Sequence, residues 1–97
     1  MRRVVYAASF VDDADAMAAY IETKFGLSRA DGFIADIEHL CEVLANLPRI
    51  GSANHGFDTP LFGVVFQSNW VFYQINEDEI LFVHLVASRR LKSLIQF

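Results

Sequence analysis

The chain has 97 residues, an apolar fraction of 54%, nine phenylalanines and a formal net charge of −4. This length predicts a single domain, residues 1–97, and the acidic balance argues against a protein whose main task is non-specific nucleic-acid binding, which needs many Lys and Arg side chains. No segment is apolar over the ~18 residues that a membrane span needs, and the single cysteine excludes an internal disulfide and is typical of a reducing cytoplasm.

The first quarter of the sequence predicts a strand followed by an amphipathic helix. Residues 3–8 are rich in β-branched and aromatic side chains, as strands are. Ser9, Asp12 and Asp13 are suited to cap and begin a helix, and Gly26 is suited to end it. The apolar residues of this helix recur at helical spacing: Val11, Ala14, Met17, Ala18, Ile21 and Phe25.

A second helix is predicted from Ser28 and ends before Pro48 and Gly51. Very few residues separate it from the first helix, so the two are expected to form an antiparallel hairpin. Cys41 lies on its apolar stripe and is expected to be a core residue rather than a nucleophile. The stripe contains Ala30, Phe33, Ile34, Ile37, Leu40, Cys41 and Leu44.

The second half of the sequence predicts a loop and three strands. Residues 51–60 have the Gly, Pro, Asn and Ser content of a loop. Residues 61–67, 70–75 and 80–86 are predicted strands of an antiparallel meander, and Ser88 caps a short C-terminal helix. Helices segregated from a run of hairpin strands indicate an α+β fold with a largely antiparallel sheet.

The last two predicted strands are apolar on both faces. Since side chains alternate along a strand, Trp70 and Phe72 are expected on one face and Val71 and Tyr73 on the other. The helices suffice to cover one side only, so the other face is expected to be open to a partner. In the final strand the alternation places two sets on opposite faces: Ile80, Phe82 and Val86 against Leu81, Val83 and Leu85.

Several short motifs follow one another in an order typical of one protein family. Residues 47–51 (LPRIG) are similar to its L-x-x-P-x-x-G region, residues 71–75 (VFYQI) to its "ifYrv" strand, and residues 80–90 to its final strand, which usually ends in an arginine. Together with helix positions given below, they resemble the RelE/ParE superfamily of toxins from bacterial type II toxin–antitoxin modules, its ParE-like branch most. The matching helix positions are Asp13, Met17, Tyr20, Ile21, Ala30, Phe33 and Ile34.

The resemblance implies the fold and the function. It implies a RelE/ParE-like domain, the toxin of a plasmid-stabilisation module, which a cognate antitoxin neutralises by folding a disordered segment onto it. The ParE-like branch implies inhibition of DNA gyrase by binding, without chemistry, whereas the RelE-like branch cuts mRNA on the ribosome. A third interpretation is a non-toxic antitoxin-binding homologue, because Leu61 and Phe62 stand where family members commonly have an arginine, and His84 where they often have one. A homodimer and a toxin–antitoxin hetero-oligomer both remain open.

The candidate site residues lie in the last third of the chain. RNA cleavage needs a base, an acid and cations, for which Tyr73, His84 and Arg90 are weak candidates. For each, a structural role is the alternative: a core ring, a strand residue and a solvated surface. No cofactor, membrane partner or direct nucleic-acid contact is expected, and no zinc site, because the His and Cys spacings match no zinc module. Candidates for contact with the target or the antitoxin are Trp70, Phe72, Phe82, Arg89, Arg90 and Lys92.

Overall fold

A computed structural model describes residues 2–53 and 61–87 of the chain. Within these residues two helices pack on one face of a five-stranded sheet, which confirms the α+β class. The predicted C-terminal helix and its basic residues Arg89, Arg90 and Lys92 lie outside the described residues. The elements are β1 (Arg3–Tyr6), α1 (Ala8–Phe25), α2 (Leu27–Asn46), a 3₁₀ turn (Pro48–Ile50), β2 (Ser52–Ala53), β3 (Phe62–Phe66), β4 (Asn69–Ile75) and β5 (Glu79–Ala87).

The sheet has the order β1-β5-β4-β3-β2, in which β1 pairs with β5 in parallel and the other pairs are antiparallel. The predicted meander of β3, β4 and β5 is confirmed. The prediction of loop throughout residues 51–60 is wrong at Ser52 and Ala53, which pair with Gly63 and Phe62. Their composition favours a loop, but pairing with partners eleven and nine residues ahead makes the short strand.

Gly26 alone separates the two helices. Its φ of 95° lies in the region that favours glycine, and its N–H donates to the carbonyl of Glu22 at 2.9 Å. The predicted helix end at Gly26 is therefore confirmed. The second helix begins at Leu27, one residue before the predicted Ser28.

Side chains near the start of α1 form hydrogen bonds with the sheet instead of capping the helix. Since β1 ends at Tyr6 while β5 continues to Ala87, the outer edge of β5 needs other hydrogen-bond partners there. Ser9 Oγ donates to the carbonyl of Val83 at 2.6 Å, and Asp13 Oδ2 accepts from the N–H of Leu85 at 3.0 Å. The helix has no side-chain cap and no acidic residue in its first turn, so the predicted capping roles were wrong.

The core lies between the helices and the sheet. A fully buried aromatic side chain such as Phe82 contributes roughly 1.5–3 kcal/mol, and its ring lies 5.7 Å from the rings of both Phe10 and Tyr73. Phe10 fell outside the predicted stripe of α1. The core contains Phe10, Ala14, Phe33, Ile37, Cys41, Leu44, Ala45, Val71, Tyr73, Ile80, Phe82 and Leu85.

A β-bulge in β5 changes which residues face the helices. Phe72 pairs with His84 but Tyr73 pairs with Phe82, so Val83 is an extra residue without an opposite partner. Phe82 faces the core before the bulge and Leu85 after it. The prediction that Leu85 lies on the face opposite Phe82 was therefore wrong, because strict alternation does not survive the inserted residue. Among the described residues no helix is both long and apolar enough to cross a membrane.

Candidate functional site

A groove opens between α1 and the end of the sheet. Its cavity has a volume of about 420 Å³. The groove exists because the sheet covers only part of the apolar stripe of α1: Met17 and Ile21 are half-buried, whereas Phe10 and Ala14 are buried. Tyr20, 60% exposed, stands at its rim. The described lining residues are Asp13, Ala16, Met17, Tyr20, Ile21, Phe33, Asn69, Leu85 and Ala87.

The polar end of this groove is an acidic side chain tied to the sheet. Asp13 Oδ2 accepts from the Leu85 N–H and lies 3.4 Å from His84 Nδ1. The two side chains are 34% and 37% exposed, so the contact is partly open to solvent. Among its described lining residues the groove thus combines apolar walls with one carboxylate, an arrangement suited to an amphipathic peptide.

The Tyr73 side chain holds a turn against the sheet. It is fully buried, and its hydroxyl donates to the carbonyl of Pro48 at 2.6 Å and accepts from the N–H of Gly51 at 3.1 Å. Burial raises the pKa of this hydroxyl, while the Gly51 hydrogen bond lowers it by a smaller amount. A raised pKa and two backbone partners leave the hydroxyl poorly placed to accept a proton near neutral pH.

Of the three candidate catalytic residues, Arg90 lies outside the described part of the chain, and the structure does not bring Tyr73 and His84 together. The Tyr73 hydroxyl lies beside Gly51, next to β3, whereas His84 lies on β5 against Asp13 of α1. No Lys or Arg occurs in β3, β4 or β5. These strands therefore supply no cation to stabilise a phosphorane-like transition state.

Comparison with known proteins identifies the family. A family model described as the ParE toxin of the type II toxin–antitoxin system, parDE, matches residues 4–91. The chain belongs to the ParE toxin family. The match runs from β1 through the described end of β5, so it includes both the groove and the sheet.

A solved structure supports the fold of this ParE-family chain. The chromosomal ParDE toxin–antitoxin system from P. aeruginosa superposes with a TM-score of 0.74, covering 90% of this chain and 96% of that chain. The sequence identity is 16%, so this likeness concerns the fold alone. No curated protein matches the sequence. As a member of the family, the chain is the toxin of a toxin–antitoxin pair, which implies an antitoxin protein as its partner.

The sheet face away from the helices is less open than the sequence predicted for this ParE-family chain. Phe72 is fully buried, and the Trp70 ring stacks on it with centroids 5.6 Å apart and planes within 5°. Among the large apolar residues of the described strands on this face, Val65 is more than half exposed, at 52%. The expectation of a broadly uncovered apolar face was wrong, and the apolar groove beside α1 lies on the helix side of the sheet.

The remaining predicted contact residues have different placements. Phe82 is fully buried in the core, so in this conformation it offers no surface to a partner. Trp70 is partly exposed. Arg89, Arg90 and Lys92 lie outside the described residues, and their roles stay predictions.

Cys41 is buried in the hydrophobic core of the toxin. Burial raises the pKa of its thiol to about 12, while a hydrogen bond with the Tyr6 hydroxyl lowers it and Glu38 and Glu42 raise it further. The thiol is therefore neutral near pH 7 and, since only the thiolate is a strong nucleophile, unreactive. This placement agrees with its position on the predicted helix stripe.

The groove was not predicted as such from the sequence. Its signal was nevertheless present, because Met17, Tyr20, Ile21 and Phe33 are among the helix positions that match the family. Asp13 was assigned to the start of a helix because its partner, Leu85, is 72 residues away. Local patterns reveal an apolar stripe but do not tell how much of that stripe the sheet will cover.

Proposed function

We propose that this ParE-family toxin binds and inhibits DNA gyrase in the bacterial cytoplasm and performs no chemistry of its own. The observation that carries the proposal is the placement of the candidate catalytic groups. The Tyr73 hydroxyl is hydrogen-bonded to the backbone of Pro48 and Gly51. His84 lies beside Asp13, on the other side of β4. A site for RNA cleavage needs these groups around one phosphate, with cations beside them.

The groove beside α1 is the proposed binding site for the antitoxin. Its apolar walls fit the apolar side chains of a segment that folds on binding, and burying them would supply the affinity that offsets the ordering of that segment. Arg89, Arg90 and Lys92 follow closely in sequence after Ala87, which lines the groove. We assign these cations to carboxylates of the gyrase target or of the antitoxin, since Arg suits bidentate pairing with carboxylates.

The first experiment separates gyrase inhibition from RNA cleavage. The toxin is induced under tight control in a bacterial host, and new DNA and new protein are labelled separately. We expect DNA synthesis to stop first, and co-expression of the cognate antitoxin to restore it. Early loss of protein synthesis with cleaved mRNA would favour a RelE-like endoribonuclease, and normal growth with verified soluble protein would indicate a non-toxic homologue.

A supercoiling assay with purified gyrase tests the mechanism directly. We expect the chain to inhibit supercoiling, and a Tyr73→Phe, His84→Ala double variant, measured at a temperature where it is folded, to inhibit it within about threefold. The reason is that neither side chain is proposed to touch the target. Loss of inhibition in a folded double variant would contradict binding without chemistry.

The antitoxin groove is tested by two apolar residues of nearly equal exposure. Tyr20 is 60% exposed at the rim of the groove, and Leu47 is 58% exposed beyond the end of α2. We expect Tyr20→Glu to weaken antitoxin binding by at least about tenfold, because it places a charge against an apolar segment. Leu47→Glu is the matched control and should change the affinity by less than about twofold. Equal effects would place the antitoxin elsewhere.

A further inference from the structure

The strand β1 forms one edge of the sheet, and two of its residues point their backbone N–H and C=O groups outward, away from β5. The N–H groups of Arg3 and Ala7 donate to the carbonyls of Asp78 and Phe82 on the β5 side. Since successive residues of a strand point their N–H and C=O groups to opposite sides, those of Val4 and Tyr6 point to the outer edge. In the described part of the chain no strand lies beyond β1.

An open cleft runs along this edge. It has a volume of about 520 Å³ and is lined by residues of β1 and of the neighbouring helix α2. Tyr6, at the end of β1, is 39% exposed. Among the described residues, the cleft and the antitoxin groove have no lining residue in common, so they are separate surfaces. Its lining residues are Arg2, Arg3, Val4, Tyr6, Glu38 and Glu42.

The charges along the cleft are arranged with opposite signs at its two ends. The helix α2 runs antiparallel to β1. The Arg2 N–H donates to the Ala45 carbonyl at 3.4 Å, whereas the side chain of Tyr6, at the other end of β1, is hydrogen-bonded to Cys41. The Arg2 side chain therefore lies at the start of β1, where its Nε donates to the Asn76 carbonyl at 2.8 Å and the residue also lines the cleft. The carboxylate of Glu38, one turn of α2 before Cys41, lies at the end of β1 near Tyr6.

This layout is self-complementary under a two-fold rotation. A second β1 running in the opposite direction brings its own Arg2 to the end that holds Glu38, and its own Glu38 to the end that holds Arg2. A two-fold interface contacts the same surface on both copies, so each favourable pair occurs twice. A partner strand of uniform charge would meet attraction at one end and repulsion at the other.

We propose that two copies of this chain pair through antiparallel β1 edges around a two-fold axis at Val5. Val4 of each copy exchanges two hydrogen bonds with Tyr6 of the other, and Arg2 of each copy faces Glu38 of the other. Because the paired edge is only four residues long, the dimer is weak and dissociates on dilution. This inference does not depend on gyrase inhibition, since it concerns a surface apart from the antitoxin groove.

Charge reversal and mixing provide the decisive test. Glu38→Arg and Arg2→Glu each place like charges at both ends of the paired edges. We expect each variant alone to dimerise at least about tenfold more weakly than the native chain, because like charges suppress the wrong pairing. When the two variants are mixed, every contact regains opposite charges, and we expect a heterodimer close to the native affinity, measured by sedimentation equilibrium.

The control reverses exposed charges away from the edge. Glu22→Arg and Lys24→Glu lie on exposed positions of α1 and should leave the dimerisation constant unchanged, alone or mixed. Circular dichroism confirms that each variant is folded before it is compared. A native chain that stays monomeric at every concentration, or a mixture that does not recover, would overturn the proposal.

Amide exchange identifies the surface independently. We expect the N–H groups of Val4 and Tyr6 to become protected from exchange in parallel as the protein concentration rises. Val4→Pro removes one outward N–H and leaves the bonds to β5 intact, so it should abolish the dimer while the fold is kept. Protection that appears only when the antitoxin is added would overturn the proposal and assign this edge to an antitoxin strand.

Discussion

Removal of the Tyr73 hydroxyl tests whether this group is structural. In the native chain it holds the 3₁₀ turn on the sheet through the Pro48 carbonyl at 2.6 Å and the Gly51 N–H at 3.1 Å. Each such hydrogen bond contributes about 0.5–1.5 kcal/mol, so Tyr73→Phe should lower the free energy of unfolding by about 1–3 kcal/mol. For a domain of this size a loss of about 2 kcal/mol lowers Tm by about 8–16 °C.

Gly51 provides a second arm of the same test. A Cβ at this position would lie 2.5 Å from the Tyr73 hydroxyl and 2.8 Å from the carbonyl oxygen of Gly63, so Gly51→Ala alone meets two conflicts. In the Tyr73→Phe background only the Gly63 conflict remains. The double variant should therefore cost less than the sum of the single variants, by at least about 0.5 kcal/mol. Gly32→Ala, which meets nothing within 4 Å in α2, is the control and should stabilise by about 0.5–1 kcal/mol.

Urea unfolding followed by circular dichroism measures the free energy of unfolding of the native chain and of the four variants. Growth inhibition is scored at a temperature where each variant is folded. A cost below about 0.5 kcal/mol for Tyr73→Phe, or strict additivity with Gly51→Ala, would refute the structural role assigned to the hydroxyl. A folded Tyr73→Phe chain that has lost its toxicity would instead place this residue in the chemistry of the toxin.

Three further variants test other contacts. Asp13→Ala leaves the Leu85 N–H without its acceptor and should cost about 1–3 kcal/mol in urea unfolding, whereas the exposed Asp15→Ala should change stability by less than about 0.5 kcal/mol. Ser68 has a φ of 64° in the turn between β3 and β4, so Ser68→Gly should raise the free energy of unfolding by about 0.5–1 kcal/mol; an unchanged or lower value would contradict a strained turn. Burial raises the pKa of Cys41 from 9.0 to about 12, so its contribution to stability is complete below pH 9 and is lost as the pH rises toward 12. Between pH 9 and 10 the free energy of unfolding should fall by up to about 1.4 kcal/mol per pH unit, and less steeply in Cys41→Ser. Identical slopes in the two proteins would refute this contribution of Cys41.

The helical hairpin could be predicted from the sequence because its determinants are local. The apolar residues of α2 recur at helical spacing, and Gly26 is the residue type that favours the positive φ found at the end of α1. The family motifs predict the same order of elements, and the structure confirms it. The boundaries shifted by a few residues: α2 begins at Leu27 rather than Ser28, and α1 begins at Ala8, inside the predicted strand 3–8, which ends at Tyr6.

The errors share one physical cause, which is dependence on a partner strand distant in sequence. The bulge at Val83 exists only relative to the residues of β4 that it faces, so alternation within β5 cannot show it. Ser9 and Asp13 suit a helix cap, yet their hydrogen bonds go to β5, more than 70 residues away. The extent of the antitoxin groove depends in the same way on where the sheet ends beneath α1.

The parallel pairing of β1 with β5 has a consequence for synthesis of the toxin. The ribosome makes β1 before the other described elements and its partner β5 after them, so the sheet closes only when β5 has emerged. Leu85 and Ala87, which line the groove, belong to that same late strand. A nascent chain that stops before β5 therefore has neither a complete core nor a finished groove. Interrupted translation of this toxin should yield fragments that the antitoxin does not bind through this groove and that cellular proteases remove.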